Sequence, residues 1–111
     1  MDAFQISELI AEAERGGRAW TEFFRAPALS LGIYRLPAGG TDPQTPHTED
    51  EIYYVLRGRA RARVSGEECE IGPGTLLYVP AGAEHRFHSI REDLTLMVAF
   101  APAEGAQAGC D

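Results

Sequence analysis

Residues 41–58 read TDPQTPHTEDEIYYVLRG. The first half carries Pro43 and Pro46 and reads as a turn-rich loop. The second half, 52–56, is an apolar run ended by Arg57-Gly58, and a second short run, ARARV, follows at 60–64. Both have strand character. If Arg57-Gly58 is a two-residue hairpin turn, Val55 lies opposite Ala60, Tyr53 opposite Ala62 and Glu51 opposite Val64. Side chains alternate across a strand, so Glu51, Tyr53, Val55, Ala60, Ala62 and Val64 share one face. Ile52, Tyr54, Leu56, Arg59, Arg61 and Arg63 share the other. The first face is apolar except for Glu51 and the Tyr53 hydroxyl, and its alanines leave space beside them. A carboxylate turned toward a core is costly unless something neutralises it. Glu51 therefore calls for a partner. The arginine face reads as solvated, with long stems covering the apolar side chains between them.

The rest of the chain supports an all-β reading. Residues 6–15 have a helical pattern, with Ser7 placed to cap and Gly16-Gly17 to stop it. Strand-like segments follow at 18–25, 29–36, 68–71, 76–79, 85–88 and 94–100, separated by turn residues such as Gly72-Pro73-Gly74 and Pro80-Ala81-Gly82. Many short strands at this spacing suggest a sandwich or barrel. Tyr34, Tyr78, Phe87, Phe100 and Met97 are expected to fill it, and Cys69 to be a small buried residue. The organisation reads as a helix over 1–17, one barrel domain over 18–103, and a small polar tail over 104–111 that frays.

Composition narrows the partners. The chain has 111 residues, enough for one domain, with 17 acids against 10 bases and a net charge of −7. Nucleic acid and anionic membranes need basic patches, so neither is expected. The longest apolar runs are too short for a membrane helix. The acidic N-terminus lacks the basic start and apolar middle of a signal peptide, so a cytoplasmic location is expected. Cys69 and Cys110 form no metal-like pair and read as free thiols. The expected ligand is a small molecule.

Two spacings now stand out. The first is Gly39-x5-Thr45-Pro46-His47-x3-Glu51-x6-Gly58, and the second is Gly74-x5-Pro80-Ala81-Gly82-x2-His85-x3-Ser89. They resemble the two motifs of the cupin superfamily, G-x5-H-x-H-x3-E-x6-G and G-x5-P-x-G-x2-H-x3-N. The resemblance implies a double-stranded β-helix (jelly-roll) barrel. It also implies that His47, Glu51 and His85 meet inside it as ligands of one divalent transition metal. Thr45 stands where the family has its first histidine, and Ser89 where it has asparagine. Thr45, a bound water or the neighbouring Gln44 carbonyl is then the candidate for the fourth position.

Two imidazoles and one carboxylate suit iron, manganese, nickel or zinc and leave coordination positions open. Tyr53, on the Glu51 face, is the candidate acid or hydrogen-bond donor beside the metal, and a barrel-filling aromatic is the alternative. His88, three residues beyond His85, falls on the opposite face. Glu49 and Asp50 are expected to be solvated. Members of this family often pair through their N-terminal strands, which implies a homodimer involving Trp20, Phe23 and Phe24. The functions in view are a metal-dependent oxygenase, isomerase or lyase and, alternatively, a non-catalytic barrel that senses a small molecule or sugar. A vestigial scaffold is disfavoured because three ligands remain.

Overall fold

The computed structural model describes residues 1–43 and 46–106. One helix, α1 (Ile6–Gly16), precedes six strands: β1 (Trp20–Ala26), β2 (Leu29–Leu36), β3 (Asp50–Val64), β4 (Glu67–Ile71), β5 (Leu76–Val79) and β6 (His85–Ala101). All pairings are antiparallel, in the order β1-β2-β6-β3-β4, with β5 also on β3. This is the jelly-roll barrel expected from the sequence. Its spine is the pairing of two long strands. The first half of β3 faces the second half of β6, from Asp50↔Ala101 to Val55↔Leu96. The second half of β3 faces the first half of β6, ending at Val64↔His85.

The hairpin at Arg57-Gly58 does not exist. β3 runs through both residues, and the register against β6 shifts there instead. An irregularity in one strand changes the phase of alternation as a turn would. Tyr53, Val55, Ala60 and Ala62 are therefore all buried, while Arg59 and Arg63 are exposed. The face assignment survives although the turn does not. Gly58 makes this possible. It sits at φ 97°, and a Cβ there would lie 2.3 Å from the Asp93 carbonyl oxygen. Opposite it, the expected strand segments 85–88 and 94–100 are joined without a break into β6.

The core gathers the inner phases of the strands, including Val55, Leu94, Leu96 and Val98, each at most 1% exposed. Burying one such side chain contributes about 1.5–3 kcal/mol. Tyr34, Phe87 and Phe100 join this core as expected. Two expectations fail by phase. Tyr78 pairs with outward Ile52 and is 60% exposed. Met97 pairs with Tyr54 and packs outside the barrel, beneath α1, with Leu9, Ala13 and Ile33. Cys69 is exposed rather than buried, because β4 ends the sheet and has a neighbour on one side only. Ser7 does not cap α1. The N-cap is Gln5, without a side-chain bond, and Gly17 closes the far end in the left-handed conformation. Arg35 adds a bond from its guanidinium to the Ala13 carbonyl, 3.1 Å. Among the described residues no helix is long and apolar enough to cross a membrane.

Candidate metal centre

Two loops must meet for the three ligand candidates to converge. The turn after β5 provides the first tie. The Gly82 N–H donates to the His47 carbonyl, 2.7 Å, and the Ala81 N–H donates to Asp50 Oδ1, 2.8 Å. Gly82 reaches this geometry at φ 76°, which suits a residue without a Cβ. The turn is thereby stitched to the start of β3, and β6 begins three residues on with His85.

Asp42 provides the second tie. It is 4% exposed, its Oδ1 accepts the Tyr34 hydroxyl at 2.7 Å, and its Oδ2 accepts the Phe87 N–H at 2.9 Å. The loop before His47 is thus held to β2 and β6. Burial, then the Asp42 carboxylate, push the Tyr34 phenol well above its ordinary value, so it stays a donor.

His47, Glu51 and His85 offer ligand atoms that all lie within 4.8 Å of one another. His47 Nδ1 is 2.8 Å from Glu51 Oε1, and His85 Nε2 is 3.5 Å from the same oxygen. Metal bonds of about 2.0–2.2 Å separate neighbouring ligand atoms by roughly 3 Å, so these spacings fit the edges of one coordination shell. The short contact is not an aligned hydrogen bond. His47 Nδ1 and Glu51 Oε2 are buried without a hydrogen-bond partner among the described residues. Leaving such groups unsatisfied costs free energy, and a cation between them would offset it.

The closeness of the Glu51 carboxylate is the main reason the His47 imidazole is held above its ordinary pKa. Burial works against this, and the charges of Glu51, Glu104 and Glu49 add to the rise. The donor set and its orphaned atoms therefore fit a divalent metal. Gln44 and Thr45, the candidates for the fourth position, lie outside the described residues.

The opposite nitrogens are also placed. His85 Nδ1 lies 3.0 Å from the Ala83 carbonyl. A proton on Nδ1 satisfies that contact and leaves Nε2 with a lone pair, 3.1 Å from the Tyr53 hydroxyl and 3.5 Å from Glu51 Oε1. Such outer hydrogen bonds fix the tautomer of ligand histidines. His47 Nε2 lies 3.4 Å from Glu104 Oε2. The Tyr53 hydroxyl is 3.1 Å from His85 Nε2, and its ring stacks edge-on against Phe87 at 4.9 Å. His88 is elsewhere, as expected. It lies on the outer surface with Nε2 2.7 Å from Glu68 Oε1.

The sequence reading missed three acids. Glu49 was expected in solvent, yet it is 2% exposed and accepts a bond from the Thr48 hydroxyl. Asp42 drew no attention inside a turn-rich loop. Glu104 was assigned to the tail. It is anchored instead, its N–H donating to Ser30 Oγ at 2.9 Å and its carbonyl accepting from Arg25 at 2.8 Å. None had a spacing signal. Pro43 and Pro46, just after Asp42, hinted at an irregular loop and nothing more.

Room for a ligand is not beside the alanines. The space between Tyr53, Ala62, Leu77 and Phe87 is too small for water. The room lies on the other side of His47, in a cavity of about 220 Å³ lined by Trp20, Tyr34, His47, Val98, Phe100 and Glu104.

Residues 32–100 match the Cupin domain family. The chain belongs to that family. An uncharacterised protein of Streptomyces coelicolor is 45% identical over 104 residues, 94% of this chain and 99% of its own. The dimethylsulfoniopropionate lyase DddQ of Ruegeria pomeroyi is 33% identical over 86 residues, 77% of this cupin but 39% of the lyase. Among solved structures, one from Bacillus halodurans superposes with a TM-score of 0.78 at 17% identity, covering 91% of this chain and 80% of that one. Another, from Thermus thermophilus, gives 0.72 at 24%, covering 93% and 99%. At these identities the structural likeness speaks for the barrel alone.

Proposed function

We propose that this cupin binds one divalent transition metal through His47, Glu51 and His85 and acts on a small organic molecule held in the neighbouring cavity. The observation that carries this reading is the convergence of ligand atoms from His47, Glu51 and His85 within 4.8 Å, with His47 Nδ1 and Glu51 Oε2 buried and without a hydrogen-bond partner among the described residues. When bound, the metal supplies a positive charge that polarises a substrate oxygen.

The chain's own residues do the rest. Ala83 holds the His85 ring in one tautomer. Phe100, whose ring centre is 4.8 Å from that of His47, packs against the ligand ring. Tyr53 presents a hydroxyl beside His85, where it can donate a hydrogen bond or a proton to a substrate oxygen. Glu104 offers a carboxylate at the cavity wall. One donor and one acceptor near a polarised oxygen suit elimination, in which a proton leaves carbon and a leaving group departs. The likeness to a lyase favours that class over oxygenation or isomerisation.

Elemental analysis of untagged protein, purified without chelator, tests the reading and should find close to one transition metal per chain. Protein free of metal, with a melting temperature unmoved by divalent ions, would overturn it.

A further inference from the structure

The cavity beside His47 has a chemistry that the metal does not explain. Three of its walls are aromatic. Trp20 meets Phe100 at a ring-centre distance of 5.8 Å and 82°, and meets Tyr34 at 6.4 Å and 66°. Rings set at steep angles form the corner of a box. Trp20 can lie there because residue 32 is glycine. A Cβ at Gly32 would come within 2.2 Å of the indole. Tyr34 is held in place by its hydrogen bond to Asp42.

At the edge of this box sits Glu104, its side chain 31% exposed. Among the described residues the one basic group within ion-pair distance of its carboxylate is His47, at 3.4 Å. Arg25, the nearest arginine contact, is spent on the Glu104 backbone carbonyl and on Glu22. Glu104 thus brings a partly buried carboxylate to the wall of an aromatic cavity, where a cation would be its natural complement.

We infer that the cavity binds a small organic cation of the quaternary-ammonium type, with the alkylated headgroup in the box of Trp20, Tyr34 and Phe100 and Glu104 as its counter-charge. Aromatic faces attract such cations, which carry too diffuse a charge to need hydrogen bonds. An anion would meet the Glu104 carboxylate, and a neutral apolar ligand would leave that carboxylate with His47 as its one basic neighbour among the described residues. The inference deepens the proposed function, since a ligand held here would place its other end toward His47. The box itself needs no metal.

The test therefore uses full-length, metal-stripped protein and two probes of one shape: choline, and the uncharged 3,3-dimethyl-1-butanol. Equilibrium dialysis measures binding, and emission from Trp20, the only tryptophan, locates it. Choline should bind about tenfold or more tightly than the alcohol, with a change in Trp20 emission. Glu104→Gln, checked for an unchanged melting temperature, should remove most of that preference. Equal affinities, no choline binding, or a preference untouched by Glu104→Gln would each overturn the inference. Failure of the metal reading would appear in elemental analysis and would leave this measurement unaffected.

Discussion

His85 and His88 lie three residues apart in β6, and each faces a carboxylate. The surface pair is complete. His88 Nε2 and Glu68 Oε1 are 2.7 Å apart, Arg63 and Arg61 reach the same acid at 3.4 and 3.7 Å, and water covers what remains. The interior set is incomplete. His85 Nε2 stays 3.5 Å from Glu51, and Glu51 keeps an oxygen with no hydrogen-bond partner among the described residues. A folded protein tolerates the first arrangement anywhere on its surface, where its net value is small. It retains the second only where something else compensates. The better-formed ion pair is thus the less informative one, and the unfinished one marks the candidate site.

This contrast can be broken in several ways. The largest expected effect is on metal content. His85→Ala and His47→Ala should each take the metal from about one per chain to none, whereas His88→Ala should leave it unchanged. Equal loss in all three would mean that the faces of β6 are misassigned. Next comes stabilisation by the metal. At a free concentration about a thousandfold above its dissociation constant, a ligand bound only by the folded state adds about 4 kcal/mol. Calorimetry should find that gain in wild type and His88→Ala and lose it in His85→Ala.

A third effect tests what keeps both histidines in their phases. Gly58→Ala sets a methyl against Asp93 and Leu94 at a positive φ. Denaturant unfolding should show a loss of about 3 kcal/mol or more. A neutral substitution would sink the account of the bulge.

The smallest effect belongs to the surface pair. The bond to His88, first, and the charges of His88, Arg63 and Arg61 hold the Glu68 carboxyl below its ordinary value. A carboxyl with a lower pKa folded than unfolded adds stability that is present above the unfolded value. That stability is lost as pH falls through the folded one. Glu68→Gln should therefore flatten the fall in melting temperature between about pH 5 and pH 2, slightly and less so in high salt. An unchanged slope would remove Glu68 from the account.

Much of this was legible in the sequence because strands alternate with period two. Glu51, Tyr53 and Val55 could be placed on one face by counting. A wrong hairpin still put Ala60 and Ala62 inside, since a bulge and a tight turn shift the count alike. The glycine spacings tied His85 to His47 across 38 positions. What failed depends on contacts that counting does not reach. Met97 is sheltered by a helix distant in sequence, and Tyr78 is exposed because its strand presents that phase outward. Glu49 and Asp42 are buried by the course of a loop, and Glu104 reaches His47 because Ser30 and Arg25 hold a segment that composition marked as loose.

The stitch between Gly82 and the His47 carbonyl has a wider consequence. It joins the two halves of the site through main-chain atoms, so its strength does not depend on which side chain occupies position 47. Asp50, which accepts the Ala81 N–H in the same stitch, is not a ligand candidate either. The framework that gathers the ligands is therefore separate from the ligands. A chain built this way can vary a candidate ligand position, as at Thr45 where the family motif has histidine, and still assemble the barrel. Natural variation can then explore metal, geometry and substrate at little risk to folding.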